Sequence, residues 1–393
     1  MLMFDQDPTD PAFGQNPYPV YAGARQQAPL HYWPHYRMVA AFDFATVNSV
    51  LRDRRFGRQV PPELAETPPA HLKAFYAVEA HSMLELEPPA HTRLRTQVLR
   101  AFTTRRVSAL QPEIEALCDE LIAAFPGGPF DLITTYCTAI PVRIIARLLG
   151  VPEGMAPQLL DWSHAMVAMY QANRTRAMED AANRAAQAFS AFILDYVETR
   201  RAHPADDLIT HLIAAETDGE RLSTSELITT CILLLNAGHE ATVHMIGNAV
   251  KTLLEHQADP ALLSPERVAG TVEELTRFDP PLHMFTRYVY EKVTLHGHTF
   301  QRGDQIALLL GAANRDPAEW DAPDTFSPTR PAKTHTSFGA GLHFCVGAPL
   351  ARLELQIALA KLFSQCPTLR LTETPIYANT YHFHGLEQLE VTL

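Results

Sequence analysis

The sequence lacks the patterns that several protein classes require. Its five cysteines are scattered over 393 residues, which does not suit a disulfide framework and indicates a reducing compartment. A formal net charge of −12 argues against nucleic acid as a partner. The most apolar internal run, Leu227 to Gly238, is too short for a membrane span. The start, Met1 to Asp5, has neither the basic nor the apolar region of a secretion signal, so we expect a cytoplasmic protein.

Two cofactor-binding patterns are also missing. The chain contains no Gly-x-Gly-x-x-Gly loop for a dinucleotide and no cysteine cluster for an iron–sulfur centre. A redox reaction on this chain would therefore have to receive its electrons from a separate protein.

The apolar residues that are present follow mainly helical patterns. After a proline-rich and aromatic N-terminal arm, helical segments run from about Pro112 to Gln257, and a further helix is predicted over Pro349–Phe363. The longest predicted helix begins near Thr224, where Ser223 and Glu226 have the spacing of a capping box. A β-rich stretch lies at residues 286–310, and short strands are predicted near the C-terminus.

One cysteine, Cys345, lies in an unusual loop. Three glycines and a phenylalanine surround it, and Pro349 follows at a position suited to the first turn of a helix. Glycines let the backbone approach a flat cofactor, and a thiolate is favoured near a helix N-terminus. The pattern indicates a haem thiolate, since a cysteine ligand pushes electron density onto the iron and favours O–O cleavage. An inert buried cysteine, the usual alternative, would not need these glycines.

The loop resembles the haem-binding loop of the cytochrome P-450 monooxygenases. The residues that match the family pattern, in order, are Phe338, Gly339, Gly341, His343, Cys345 and Gly347. The resemblance extends from about residue 88 to the C-terminus and implies a soluble, bacterial-type member that binds haem b. It also implies a mainly α fold, with a helical lobe, a long central helix and small antiparallel β-sheets. We expect residues 1–393 to form a single domain, since the motifs converge only in one unit.

Charged residues at family positions complete this interpretation. His91 and Arg95 share one helix face at i, i+4, and the resemblance assigns them to the haem propionates together with Arg287 and His343. A second set is assigned to a structural ion network: Glu274 and Arg277, three residues apart, with Arg330 as the third member.

The segment Ala237-Gly238-His239-Glu240-Ala241-Thr242 lies in the long helix and matches the family's oxygen-activation motif. The resemblance implies that the small Ala237–Gly238 pair leaves room for O₂, and that Glu240 delivers protons. A zinc-protease reading fails, because His239 and His244 are five residues apart and lie about 140° apart round a helix.

The same segment departs from the family at one position. The usual threonine after the acid is Ala241, and Thr242 lies about 100° further round the helix. Three explanations stay open: a substrate hydroxyl or ordered water replaces the missing group, the enzyme uses peroxide, or oxygenase activity has been lost. We favour the first, because Glu240 is retained.

The family's substrate-contact regions fall on mainly apolar stretches with a few polar groups. For each residue, plain core packing is the alternative. Together they imply a hydrophobic ligand of moderate size, and segments near Met83 and Tyr170 could act as a lid. The candidate substrate residues are Ser82, Met83, Leu84, Met166, Tyr170, Leu234, Leu282, His283, Phe285, His382 and Phe383.

The expected activity is insertion of one oxygen atom from O₂ into a hydrophobic small molecule, by hydroxylation or epoxidation. A ferredoxin with its reductase is the expected electron donor, and we expect a monomer. Two alternatives remain: a peroxide-driven haem peroxygenase, and a non-catalytic haem-based binding or sensing protein. The arginines that could form a docking face, or equally an ordinary solvated surface, are Arg93, Arg100, Arg105, Arg106 and Arg352.

Overall fold

The computed structural model describes residues 1–171, 174–217 and 219–393. About 54% of the chain is helical, which confirms the mainly α class with small sheets. The helices are α1 (Pro11–Gln15), α2 (Tyr18–Gln27), α3 (Phe44–Arg52), α4 (Lys73–Glu79), α5 (Ala90–Ala101), α6 (Thr104–Ala109), α7 (Gln111–Ala123), α8 (Ala139–Leu149), α9 (Ala156–Val167), α10 (Arg176–Ala202), α11 (Leu208–Ala214), α12 (Thr224–Glu255), α13 (Val268–Phe278), α14 (Leu310–Ala313) and α15 (Ala348–Gln365).

The strands are short, and several of them lie in the predicted β-rich stretch 286–310 and near the C-terminus. They are β1 (Leu2–Met3), β2 (Leu30–Trp33), β3 (Met38–Ala41), β4 (Phe56–Gly57), β5 (Phe130–Asp131), β6 (Glu216–Thr217), β7 (Glu220–Arg221), β8 (Met284–Val289), β9 (Val293–Leu295), β10 (His298–Phe300), β11 (Gln305–Leu309), β12 (Arg370–Leu371), β13 (Ile376–Tyr377), β14 (Leu386–Gln388) and β15 (Glu390–Thr392). Gly297, between β9 and β10, and Gly303, between β10 and β11, adopt φ values of 77° and 94°.

The chain forms two compact units. The first consists of Met1–Leu64, Ile114–Thr138 and Ala241–Leu393, and the second of Ala65–Glu113 and Ala139–Glu240. This division does not test whether the units fold separately, so the single domain expected over residues 1–393 stays a prediction.

The first unit is built around a six-stranded sheet in the order β1-β2-β3-β11-β8-β4. The pairs β1–β2 and β3–β11 are parallel, and the other three pairs are antiparallel. Alternate residues of β11 enter different apolar clusters: Ile306 and Leu308 pack with Phe300 and Val289, whereas Ala307 and Leu309 pack with a cluster of aromatic side chains around Trp33. The central strand is therefore buried on both faces.

The described residues of the second unit are mainly helical, and they include one short antiparallel strand pair, β6–β7. Its longest complete helix, α10, packs against α9 and α4. Thr175 caps this helix by accepting a hydrogen bond from the backbone N–H of Met178, and Phe189, Ile193 and Val197 recur at four-residue spacing on the buried face.

Helix α12 spans 32 residues and agrees closely with the predicted Thr224–Gln257. The capping box is present: Ser223 N–H donates to the Glu226 carboxylate at 2.9 Å, and Glu226 N–H donates to Ser223 Oγ at 3.3 Å. Within the described residues, no helix is both long enough and apolar enough to span a bilayer.

Candidate functional site

The loop before α15 has a backbone that only glycine suits at two positions. Gly339 and Gly341 have φ values of +67° and +68°, in the left-handed region. A Cβ on Gly341 would lie 2.3 Å from the carbonyl oxygen of Leu51, so this loop passes directly over the end of α3. The N–H of Cys345 donates to the carbonyl of Phe338 at 2.9 Å and closes the loop. Cys345 is thereby held three residues before α15 begins.

The environment of Cys345 differs from that of the other four cysteines. Those four are buried, whereas Cys345 is partly exposed. Desolvation raises the pKa of Cys118 to about 11 and that of Cys231 to about 12, and it also raises the pKa values of Cys137 and Cys366. These four thiols stay protonated and inert, which leaves Cys345 as the candidate ligand.

An ion pair between α13 and α15 braces the same loop. Arg352 contacts both carboxylate oxygens of Glu273, at 2.6 and 2.9 Å, and its guanidinium lies 4.4 Å from the centre of the Phe338 ring. Burial would raise the pKa of Glu273, but hydrogen bonds from His335 and Arg352 outweigh burial and lower the pKa to about 2. Arg352 is therefore part of the loop's support.

The residues assigned to the structural network lie in contact. Arg277 donates from Nε and Nη2 to the two Glu274 oxygens, each at 2.8 Å, and Arg330 Nε lies 3.3 Å from Glu274 Oε2. Arg277 also donates to the carbonyls of Asn314 and Pro323. A buried guanidinium is costly unless it is paired and hydrogen-bonded, and here both conditions are met.

The four residues assigned to propionates fall in different units. In the first unit, Arg287 on β8 is 3% exposed, and His343 is partly exposed at the end of a single turn, Gly341–His343. In the second unit, α5 carries His91, which is 1% exposed, and Arg95, which is partly exposed one turn later. Arginine and histidine side chains are of a type that suits a carboxylate ligand, and their assignment to the propionates stays a prediction.

The first two residues of the α12 segment 237–242, which matches the family's oxygen-activation motif, have different surroundings. Ala237 is exposed, although most of the helix is buried. Gly238 instead faces α8, because a Cβ there would lie 3.1 Å from Ile145 Cγ1. The glycine therefore permits close helix packing, a reason that the sequence interpretation did not include. Ala241 is partly exposed, and Thr242 is 5% exposed.

Glu240 lies beside two imidazole rings, those of His164 and His239. Its Oε1 is 3.3 Å from His164 Nε2 and 3.4 Å from His239 Nε2. His164 comes from α9 and was not identified from the sequence, since nothing in the spacing of residues 164 and 240 relates them.

Candidate substrate residues of the second unit are mostly buried. Ser82, Met83, Met166 and Leu234 are at most 7% exposed, and Leu84 is partly exposed. The Tyr170 hydroxyl donates to Glu79 at 3.2 Å, which links the end of α9 to α4. This hydrogen bond joins the two segments that were expected to act as a lid.

Candidate substrate residues of the first unit cluster around β8. Leu282 forms a β-bridge with Phe383, and Phe285 and His382 are partly exposed. Desolvation lowers the pKa of His382 to about 4, so this ring is neutral at physiological pH.

His283 has a different environment from the one expected for a ligand-orienting group. It is 1% exposed, its Nδ1 lies 3.0 Å from the Tyr21 hydroxyl, and its Nε2 lies 3.5 Å from the Tyr18 hydroxyl. Tyr18 also donates to Asp279 at 2.7 Å. Because both ring nitrogens already face tyrosines, His283 belongs to a buried structural network, and we remove it from the substrate assignment.

Comparison with known proteins gives long, consistent matches. The family model for cytochrome P450 matches residues 268–376. A vitamin D(3) 25-hydroxylase of Pseudonocardia autotrophica is 37% identical over 97% of this chain and 94% of its own length. A 6-deoxyerythronolide B hydroxylase of Saccharopolyspora erythraea is 34% identical, with 96% of each chain covered.

Solved structures agree. One similar structure is that of P450BioI in complex with an acyl carrier protein ligated to hexadec-9Z-enoic acid. It is 34% identical to this chain and has a TM-score of 0.91, and the match covers 97% of this chain and 100% of that one. The predicted P-450 fold is therefore confirmed. Similarity at this level over nearly the whole sequence shows that the chain belongs to the cytochrome P450 family, and the protein is accordingly a haem-thiolate monooxygenase that acts on small molecules.

Proposed function

We propose that Cys345 is the axial thiolate of haem b. The observation that carries this assignment is the loop geometry, in which Gly339 and Gly341 hold Cys345 ahead of α15 in a conformation that side chains would disturb. Haem, when bound, supplies the activation of O₂, and its thiolate ligand favours O–O cleavage. His91, Arg95, Arg287 and His343 would pair with the propionates, and Glu274, Arg277 and Arg330 would hold the supporting core.

The thiolate assignment is tested by the carbon monoxide spectrum of the reduced protein. We expect the strongly red-shifted band that a thiolate ligand produces, and its loss in Cys345→Ala. Cys366→Ala is the matched control, because Cys366 is a buried thiol at the far end of α15. A red-shifted band that persists in Cys345→Ala would overturn the assignment.

We propose that Glu240 moves protons to the reaction centre from its position on α12. Its carboxylate is buried, 8% exposed, and lies beside the rings of His164 and His239, which are groups that can exchange protons with it. Ala241 cannot assist, since it has no hydroxyl. In this proposal a hydroxyl of the substrate or an ordered water replaces the missing threonine hydroxyl. The enzyme then remains a monooxygenase that hydroxylates or epoxidises its substrate with electrons from a separate donor.

The peroxide-driven alternative rests on the same alanine. Product formation with hydrogen peroxide alone, at a rate equal to the electron-driven reaction, would favour the peroxygenase. Consumption of O₂ that depends on a ferredoxin and its reductase, with product formed in proportion, would favour the monooxygenase. Binding of ligands without turnover in either system would favour the non-catalytic role.

We propose a lipophilic substrate of moderate size. Met166 and Leu234 in the second unit, with Leu282, Phe285 and Phe383 in the first, are apolar and occupy the family's substrate-contact regions. Two relatives are named for vitamin D(3) and 6-deoxyerythronolide B, and one similar structure holds a fatty acid ligated to an acyl carrier protein. Titration of the haem spin state with steroids, macrolides, terpenoids, fatty acids and a carrier-bound fatty acyl chain would separate these classes.

We propose a ferredoxin with its reductase as the electron donor. Of the arginines expected in a docking face, Arg93 is paired with Glu226 and Arg352 with Glu273, so neither charge is available without breaking an ion pair. Arg106 contacts Asp206 at 3.3 Å. Arg105 is exposed and is the better candidate. Charge reversal at Arg105 should lower the rate of haem reduction and make it less dependent on ionic strength.

A further inference from the structure

Two histidines and one carboxylate converge at a point where α9 meets α12 within the second unit. The contacts join Glu240 Oε1 to His164 Nε2 at 3.3 Å and to His239 Nε2 at 3.4 Å. All three ligand atoms lie within 4.8 Å of one another. Both contacts are longer than charge-assisted hydrogen bonds, which measure about 2.7–2.9 Å.

The hydrogen bond at the other side of the His239 ring fixes its tautomer. Nδ1 lies 2.7 Å from the carbonyl oxygen of Leu235, which can only accept, so Nδ1 carries the proton. Nε2, the nitrogen that can bind a metal ion, then faces Glu240. His239 is 3% exposed, and among the described residues its Nε2 has no hydrogen-bond partner. A lone pair and a carboxylate that face each other in a buried place repel, and a proton or a cation between them stabilises the contact.

The geometry points to a divalent metal ion at this place: we propose that His164, His239 and Glu240 form a zinc site. Zinc is bound at about 2.0–2.1 Å by imidazole nitrogen and about 2.0–2.2 Å by carboxylate oxygen, and a tetrahedron with such bonds has edges of about 3.3–3.4 Å. The two measured separations match that edge. Two nitrogens and one oxygen suit zinc, whereas magnesium and calcium prefer oxygen ligands.

Two features beyond the ligand set support the site. Metal-bound histidines usually donate their second ring N–H to a carbonyl or carboxylate, as His239 does to Leu235. An ion can also reach the site, because the His164 side chain is 56% exposed while those of Glu240 and His239 are 11% and 4% exposed. The site therefore has an exposed ligand at its entrance and two buried ligands behind it.

Zinc at this position would regulate turnover. A bound ion would hold Glu240 Oε1 and withdraw the carboxylate from proton transfer, so occupancy should inhibit the enzyme reversibly. This consequence rests on the proposed role of Glu240, but the binding itself does not.

Zinc binding is measured first, on the haem-loaded full-length protein after dialysis against a chelator. Isothermal titration with zinc should show one tight site in the wild type. His164→Ala should weaken it by at least about tenfold, the smaller end of what even an outer-shell change costs. Because His164 is half exposed, this variant keeps the fold. Glu240→Gln provides a second test, since glutamine has the shape of glutamate without its charge. His203→Ala, at an exposed histidine of the same unit, should bind as the wild type does.

Equal zinc stoichiometry and affinity in the wild type, His164→Ala and Glu240→Gln would overturn the site and leave the three residues as ordinary ion pairs. Turnover is measured second. Zinc should inhibit the wild type in step with binding, with recovery on chelation, and the half-inhibiting concentration should rise at least about tenfold in His164→Ala. Zinc binding without inhibition would support the site and overturn the role proposed for Glu240.

Discussion

The Cys345 loop and the Glu240 segment of α12 are the two segments to which we assign chemistry, but they depend on the sequence in different ways. The loop is defined by its backbone: left-handed residues, a passage over Leu51 and a hydrogen bond from Cys345 to Phe338. The segment of α12 is a regular helix whose chemistry lies only in its side chains. A helix tolerates alanine in place of threonine without a change of backbone, whereas the loop tolerates little. The family pattern is therefore complete in the loop and altered in the helix.

The largest loss of stability is expected in the ion network of Glu274, Arg277 and Arg330, which lies in the same unit as the Cys345 loop. Arg277→Ala leaves Glu274 buried without its bidentate partner, and such a loss costs about 3–5 kcal/mol of unfolding free energy. Chemical denaturation monitored by circular dichroism measures the change. Arg201→Ala, which breaks an exposed pair with Glu198, should cost less than about 1 kcal/mol. Equal losses in the two variants would contradict a buried network.

A methyl group on Gly341 should be the next most damaging change. The left-handed conformation costs an alanine about 1–2 kcal/mol, and the Leu51 carbonyl at 2.3 Å forces a further shift of the loop. We expect Gly341→Ala to lose at least about 2 kcal/mol and to incorporate less haem, measured by thermal unfolding and the haem-to-protein absorbance ratio.

Gly347→Ala is the matched control within the same loop. Its φ is −82°, and an added Cβ would lie 3.8 Å from Cys345 Sγ, an ordinary contact. A loss of stability as large as that in Gly341→Ala would show that the loop is sensitive to any added side chain, which would contradict the importance of the left-handed position.

The Glu273–Arg352 pair should make the stability of the protein depend on pH. The pKa of Glu273 falls from 4.5 to about 2 on folding, so its ionised form stabilises the native state above about pH 4.5. Glu273→Gln should lower stability at pH 7 by about 1–2 kcal/mol, an amount reduced because the pair is partly exposed. The difference from the wild type should shrink as the pH falls from about 4.5 toward 2. A difference that stays constant over this window would exclude the ionised carboxylate as its source.

Local pattern was sufficient to predict much of the fold and the loop. The capping box located the start of α12, and Glu274 and Arg277 met because three residues make almost one helical turn. Contacts between distant segments could not be predicted in this way. His164 approaches Glu240 only because α9 packs on α12, and His283 meets Tyr18 and Tyr21 across more than 260 positions. Single-residue polarity suggested a ligand role for His283, but the tertiary contacts give it a structural one.

The smallest effect on stability, and the most informative for chemistry, is expected at position 241. Ala241→Thr restores the hydroxyl beside Glu240 at a partly exposed helix position, so unfolding free energy should change by less than about 1 kcal/mol. If a substrate hydroxyl or water now fills this place, the new hydroxyl should alter the fraction of electrons that end in product. The measurement is the ratio of product formed to electrons supplied by the donor, and Thr242→Val tests whether the neighbouring hydroxyl has taken over. Identical ratios and rates across several substrates would mean that proton delivery does not use position 241. The departure of the helix from the family pattern would then have no consequence for the reaction.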